Sequence, residues 1–114
     1  MTATASEREL AFLRHMLQAA QAVKEYSKGG KRRFLADNMA QDAIMRQLEV
    51  LGEAARRISD EFRQEQPELP WRSMIGLRNI LIHGYGSVDL EKVWQAVGVT
   101  VNQALPLLER WLQA

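Results

Sequence analysis

The stretch from Asp37 to Phe62 places the tightest limit on the fold. Within it Ile44, Leu48, Leu51, Ala55, Ile58 and Phe62 recur at alternating spacings of four and three, which is the period of a helix with one apolar seam and not that of a strand. Asp37 is suited to cap the start of this helix, because its carboxylate can accept from the backbone amides left without partners in a first turn. A seam of this length needs another helix lying along it.

Three further segments supply candidates. Ser6 followed by Glu9 has the form of a capping box, and Leu10, Leu13, Leu17, Ala20, Val23 and Tyr26 continue as one helical stripe, predicting a first helix over roughly residues 7 to 28 that stops at Gly29 and Gly30. Pro67 and Pro70 close the second helix and open a third near Trp71. Gly84, Gly86 and Ser87 end that one, and Asp89 caps a fourth, whose inner face reads Leu90, Val93, Trp94, Val97, Val101, Leu105, Leu108 and Leu112. Pro106 should interrupt and kink it. No alternating strand pattern and no internal repeat is present. Short connections favour antiparallel neighbours, so the expected fold is all-α, an up-and-down four-helix bundle. The seams on the second and fourth helices offer more apolar surface than one small bundle needs, which points to a homodimer.

At 114 residues the chain fits one domain, residues 1–114, and its 46% apolar and 25% charged composition is that of a folded protein. The absence of cysteine excludes disulfides, thiolate catalysis and sulfur-based zinc sites, and suits a reducing cytoplasm. No leader-like segment or membrane-length apolar run is evident, so a cytoplasmic location is expected. A net charge of +1 gives no global basic field, so any binding to nucleic acid must rest on local patches.

The most apolar part of the third helix is broken by specific polar groups in RNILIHGY, Arg78 to Tyr85. At about 100° per residue, Arg78 and Tyr85 fall within roughly 20° of each other, and Asn79 and His83 within roughly 40°. Trp71, Met74, Ile75, Leu77, Ile80, Leu81 and Ile82 surround them on the same wheel. Such a helix is expected to be largely enclosed, and an enclosed arginine needs a carboxylate, a facing subunit or an anionic ligand. In the plainer reading Asn79, His83 and Tyr85 satisfy helix-end carbonyls while Arg78 pairs with Glu53.

Arg78 and Asn79, then His83 and Tyr85, reproduce the R-N-x-x-x-H-x-Y signature of HEPN domains, and the flanking sequence resembles their HepT-like branch. FLADNMAQDAIMRQLEVLGEAARRIS is similar to the second helix of that branch, PELPWRSMIGLRNILIHGY to the segment leading through the motif, and VDLEKVW to the start of the last helix. The resemblance runs over roughly residues 8 to 112. It implies a dimerising helical bundle with the motifs of two subunits lining one cleft, and metal-independent RNA cleavage without a cofactor. It also implies the toxin role of a type VII-like toxin–antitoxin pair, whose MntA-like minimal nucleotidyltransferase partner silences the toxin by attaching AMP to the motif tyrosine. On this resemblance Arg78 and His83 are the catalytic pair, Asn79 a polar support and Tyr85 the modification site. Gly84 departs from the acidic or larger residue found between His and Tyr in many relatives.

These residue types suit the chemistry. RNA carries its own nucleophile, the 2′-hydroxyl, so a protein can cleave it by moving protons and stabilising a phosphorane-like transition state. Histidine exchanges a proton near neutral pH, and arginine offers phosphate a permanently charged planar fork. One histidine cannot be base and acid in the same concerted step, whereas a dimer cleft supplies two copies of His83. AMP on Tyr85 would add charge and bulk where the RNA phosphate should sit.

Lys28, Lys31, Arg32 and Arg33 cluster about a Gly-Gly loop that could grip an RNA backbone or could be only a solvated surface. Glu53, and with less weight Asp42, could orient the motif from the second helix or stand as exposed charges. Trp71, Trp94 and Trp111 lie on apolar faces and are expected in the core or an interface. His15 has no second ligand at a metal-binding spacing, and no metal site is expected. Two other functions compete with a ribonuclease of tRNA or other RNA: a non-catalytic subunit that presents substrate to a minimal nucleotidyltransferase, and a structural dimerisation module.

Overall fold

In the computed structural model of the chain, described for residues 6–81 and 88–112, every regular element is helical. In order these are α1 (Glu7–Tyr26), α2 (Gly30–Ala36), α3 (Asn38–Arg56), α4 (Asp60–Glu65), α5 (Trp71–Ile75), α6 (Leu77–Leu81), α7 (Leu90–Ala96), a π-helical turn (Val97–Val101) and α8 (Asn102–Leu112).

The caps expected from the sequence hold these ends. Ser6 Oγ accepts from the Glu9 amide at 3.1 Å while Glu9 Oε1 accepts from the Ser6 amide at 3.4 Å. Asp37 Oδ1 accepts from the amides of Met39 and Ala40 at 2.9 and 3.2 Å, and Asp89 Oδ1 from those of Glu91 and Lys92 at 3.0 and 3.3 Å. Each cap satisfies amides that have no partner inside their own helix.

The long helix α3 organises the packing. It lies along α1 on one side and carries α5 and α6 on another, while α8 and the π turn close over α1. Ile44, Leu48, Leu51 and Ala55 meet Leu13, Met16, Ala20 and Val23 in the core, joined by Val93, Val101 and Leu108, and all are almost wholly shielded from solvent. Phe62 packs edge-on against Trp71 and Trp111, and Phe34 lies against Trp94, so the tryptophans serve packing. Most of both seams is therefore filled within one chain, with Leu90, Trp94 and Leu112 half-buried at the edge of the core. Among the described residues the large apolar side chains left exposed are Tyr26, Leu35, Met39 and Val99, with Met39 at 83%.

Four details differ from the sequence expectation. The Gly-Gly loop leads directly into α2, started by Gly30 in a left-handed conformation at φ 86°. Its last carbonyls, on Phe34 and Leu35, accept from Gln41 Nε2 at 2.9 and 3.2 Å. The second helix does not run through to Phe62. It stops at Arg57, and Ser59 starts α4 by accepting from the Phe62 amide, leaving Ile58 and Phe62 buried on either side of the bend.

The third helix is two short pieces. They meet at Gly76, whose amide donates to the Arg72 carbonyl at 2.9 Å while its own carbonyl accepts from the Asn79 amide at 3.0 Å. Lastly, the chain continues as α8 straight through Pro106, and the irregularity lies upstream in the π turn. That widened turn ends just before Asn102, whose carbonyl the proline ring crowds and deprives of its helical donor. The Asn102 side-chain amide donates to the Gly98 carbonyl at 3.0 Å.

Candidate functional site

Among the sequence-derived site residues, Arg78, Asn79 and Glu53 fall on described elements, as do Lys28, Lys31, Arg32 and Arg33. His83, Gly84 and Tyr85 lie outside the described residues.

Arg78 is the second residue of α6 and is exposed, as is Asn79 beside it. This corrects the expectation of an enclosed helix. Turning the chain at Gly76 presents α6 to α3 through Leu77, which is buried, and leaves the next two residues on the surface. The close seating depends on Gly52, since a Cβ there would stand 2.9 Å from the Met74 carbonyl oxygen and 3.5 Å from Leu77 Cβ.

Two clefts meet at Arg78. The first, of about 440 Å³, lies between α1, α3 and the α5–α6 pair, and is bordered by Phe12, His15, Arg46, Glu53, Arg57 and Arg78 among others. The second lies between α4 and α5–α6, with Arg63, Arg72, Trp71, Arg78 and Asn79 on its walls. Arg56, Ile75 and Arg78 belong to both and form the crest between them.

Glu53 does not bond to Arg78. Its carboxylate accepts from Arg56 Nη2 at 2.9 and 3.1 Å, a bidentate pair on one face of α3. That hydrogen bond holds its carboxyl below the usual carboxylate range; slight burial opposes the shift, and the positive fields of Arg56, Arg57 and Arg78 add to it. Glu53 thus feels the charge of Arg78 across the first cleft without contacting it. Arg46 pairs with Glu49 at 2.6 Å and Arg63 with Asp60 at 2.8 Å. The Arg78 side chain makes no hydrogen bond or ion pair with another described residue.

The basic cluster around α2 is elsewhere. Lys28 pairs with Glu25 at 2.9 Å, Lys31 with Glu91 at 2.7 Å, and Arg33 lies 3.9 Å from Asp37. None of the four, nor Asp42, borders either cleft containing Arg78.

The sequence reading missed Phe12, His15, Arg46, Arg57 and Arg72 as neighbours of the motif arginine. A signal existed on α3, where Arg46, Glu49, Glu53 and Arg57 recur at helical spacing beside the apolar seam. His15 is a surface residue, edge-on to Phe12 with ring centroids 6.2 Å apart, yet it shares a cleft with Arg78. Among the described residues no group of three or more His, Asp or Glu side chains is placed to hold a metal ion, and no helix is long and apolar enough to cross a membrane.

Comparison with known proteins identifies the relatives of this chain. Residues 16–113 match the family described as Ribonuclease HepT-like. The protein named "Putative RNase MJ1380" from Methanocaldococcus jannaschii is 42% identical over 88 residues, covering 76% of this chain and 81% of that protein. The "Probable ribonuclease HepT" of Thermococcus cleftensis is 34% identical over 99 residues, 86% of each chain. "Putative RNase TTE0752" from Caldanaerobacter subterraneus is 33% identical over 100 residues, covering 87% of this chain and 86% of that protein. No solved structure matches the chain.

Proposed function

Because the chain belongs to the HepT-like ribonuclease family, we propose that it is a single-domain, homodimeric, metal-independent endoribonuclease acting on tRNA or other RNA in the cytoplasm. It is the toxin of a type VII-like toxin–antitoxin pair, and an MntA-like minimal nucleotidyltransferase neutralises it by attaching AMP to Tyr85. The observation that carries this reading is Arg78, a motif guanidinium exposed on the crest between two clefts and free of any ion pair among the described residues. A fixed fork without an internal partner is suited to an external phosphate.

In this mechanism Arg78 neutralises the non-bridging oxygens of the scissile phosphate as their charge grows towards the transition state. His83 of one subunit takes the proton of the 2′-hydroxyl, and His83 of the other gives one to the departing 5′-oxygen, so two helical protomers act as a pair. Asn79 and Glu53 are supports: Asn79 adjoins Arg78 on α6, and Glu53 faces it from α3 as a paired carboxylate that leaves the guanidinium unblocked. Lys28, Lys31, Arg32 and Arg33 make only outlying contacts with the RNA backbone, weakened where a carboxylate already holds the side chain. AMP on Tyr85 brings a phosphodiester that competes for Arg78.

The deciding experiment is cleavage of tRNA and total RNA by purified chain with a chelator present, beside His83→Ala. Cleavage that persists in chelator and disappears in the variant is expected; undiminished cleavage by His83→Ala overturns the assignment. A chain that binds RNA and its nucleotidyltransferase but never cleaves is instead a substrate-presenting subunit. Intact mass after coexpression with that enzyme tests the switch, which fails if the AMP adduct survives Tyr85→Phe.

A further inference from the structure

The charges around Arg78 do not cancel evenly. Arg46, Arg56 and Arg63 each have a carboxylate partner, on Glu49, Glu53 and Asp60 respectively. Three arginines of the two clefts have none among the described residues. Arg57 borders only the first cleft, with its guanidinium 5.8 Å from the centre of the Phe12 ring. Arg72 borders only the second, and Arg78 stands on the crest shared by both. All three are exposed. The surplus positive charge therefore forms a line, with one cation in each cleft and one between them.

A lone phosphate could meet only part of this line, whereas a polyanionic strand laid over the crest would meet all of it. We propose that a single strand of RNA crosses Arg78 with its flanking phosphates held by Arg57 on one side and Arg72 on the other. This deepens the ribonuclease reading and rests on it for the identity of the strand. The two clefts give room for a nucleotide on each side, since about 440 Å³ in the first and about 740 Å³ in the second lie within the size range of small-molecule sites. The exposed imidazole of His15 in the first cleft offers a ring against which an unpaired base can stack, which favours a single strand over a duplex. Arg57 and Arg72 are binding residues here, and they set which stretch of RNA is presented at the motif.

The test is binding of a fully 2′-O-methylated oligonucleotide of about ten residues, which lacks the nucleophile and so reports affinity without cleavage. Anisotropy titrations across a salt series are expected to weaken about tenfold for Arg57→Gln and for Arg72→Gln, with the log–log salt slope shallower by about 0.7 in each case, the value for one lost phosphate contact on a single strand. Arg110→Gln, on the exposed side of α8 and away from both clefts, should change neither. Helical content and Tm verify that the variants are folded.

Unchanged affinity and slope in either cleft variant overturn the track, as does failure of the unaltered chain to bind. A change of oligomeric state by light scattering in step with the loss also overturns it and gives the clefts to a second copy of the chain. A chain that cleaves through His83 while both variants bind normally keeps the ribonuclease reading and loses the track. Salt-dependent binding lost in both variants, from a chain that never cleaves, has the opposite result.

Discussion

Gly52 and the Met74 carbonyl oxygen are so close that a Cβ on the glycine would lie 2.9 Å from that oxygen. The obstacle is backbone, which cannot rotate away as a side-chain tip would, so Gly52→Ala must push α5 and α6 off α3. Overpacking of this kind costs about 1–3 kcal/mol, readable by urea denaturation. Because Arg78 rides on α6, RNA cleavage should fall by about tenfold or more even in the folded fraction. Gly98→Ala is the control: a Cβ there meets nothing within 4 Å, so neither stability nor turnover should drop.

In the proposed mechanism Arg78 contributes to function and hardly to folding. It is exposed and unpaired among the described residues, so Arg78→Ala should shift stability by no more than about 0.5 kcal/mol while removing cleavage. Arg78→Lys keeps the charge but not the planar fork, so it should retain much of the RNA affinity and lose most of the turnover. A large fall in Tm for either variant would instead make Arg78 part of a structural polar network.

Glu9 links the start of α1 to the bend between α3 and α4, accepting from the Ser59 amide at 2.9 Å as well as closing its own capping box. Hydrogen bonds from the Ser59 side chain and amide hold its carboxyl below the ordinary value of 4.5. A folded-state value below the unfolded one means stability that is present in full above about pH 4.5 and lost as pH falls through the lowered value. Glu9→Gln should therefore be less stable than the unaltered chain by about 0.5–1.5 kcal/mol at pH 7. The difference should narrow on acidification below pH 4.5, as thermal melts across a pH series would record.

Gly30 begins α2 at φ 86° with open space where a Cβ would go. Gly30→Ala meets no clash, so its cost is purely conformational, about 1–2 kcal/mol by denaturant unfolding. RNA cleavage per folded molecule should be unchanged, since α2 lies apart from both clefts that contain Arg78.

What could be read from the sequence was what local patterns determine. Ser6, Asp37 and Asp89 cap the helices assigned to them, and the α3 seam is buried where its period put it. The breaks were harder. Ser59 followed by Asp60 and Glu61 has the form of a helix start, but Ile58 and Phe62 fit the upstream seam equally well, and periodicity cannot tell a bend from a continuous turn. The exposure of Arg78 depends on Gly76 redirecting a helix whose apolar wheel suggested enclosure, which is a tertiary outcome. The first cleft needed α1 brought to the motif from a distant part of the chain, so Phe12 and His15 carried no local mark of their role.

The π turn at Val97–Val101 gives the last helix a tolerance that its neighbours lack. A turn of this kind houses one residue more than an α-helical turn, so the surplus is held locally and not passed on as a rotation of everything downstream. Val93 before it and Leu108 after it both face the core. Removing one residue here would return the turn to α-helical form while those two keep their orientation, whereas the same change within α3 would swing Ile44 or Leu51 into water. Differences in length among relatives should collect at this turn before they appear in the helix that carries the seam.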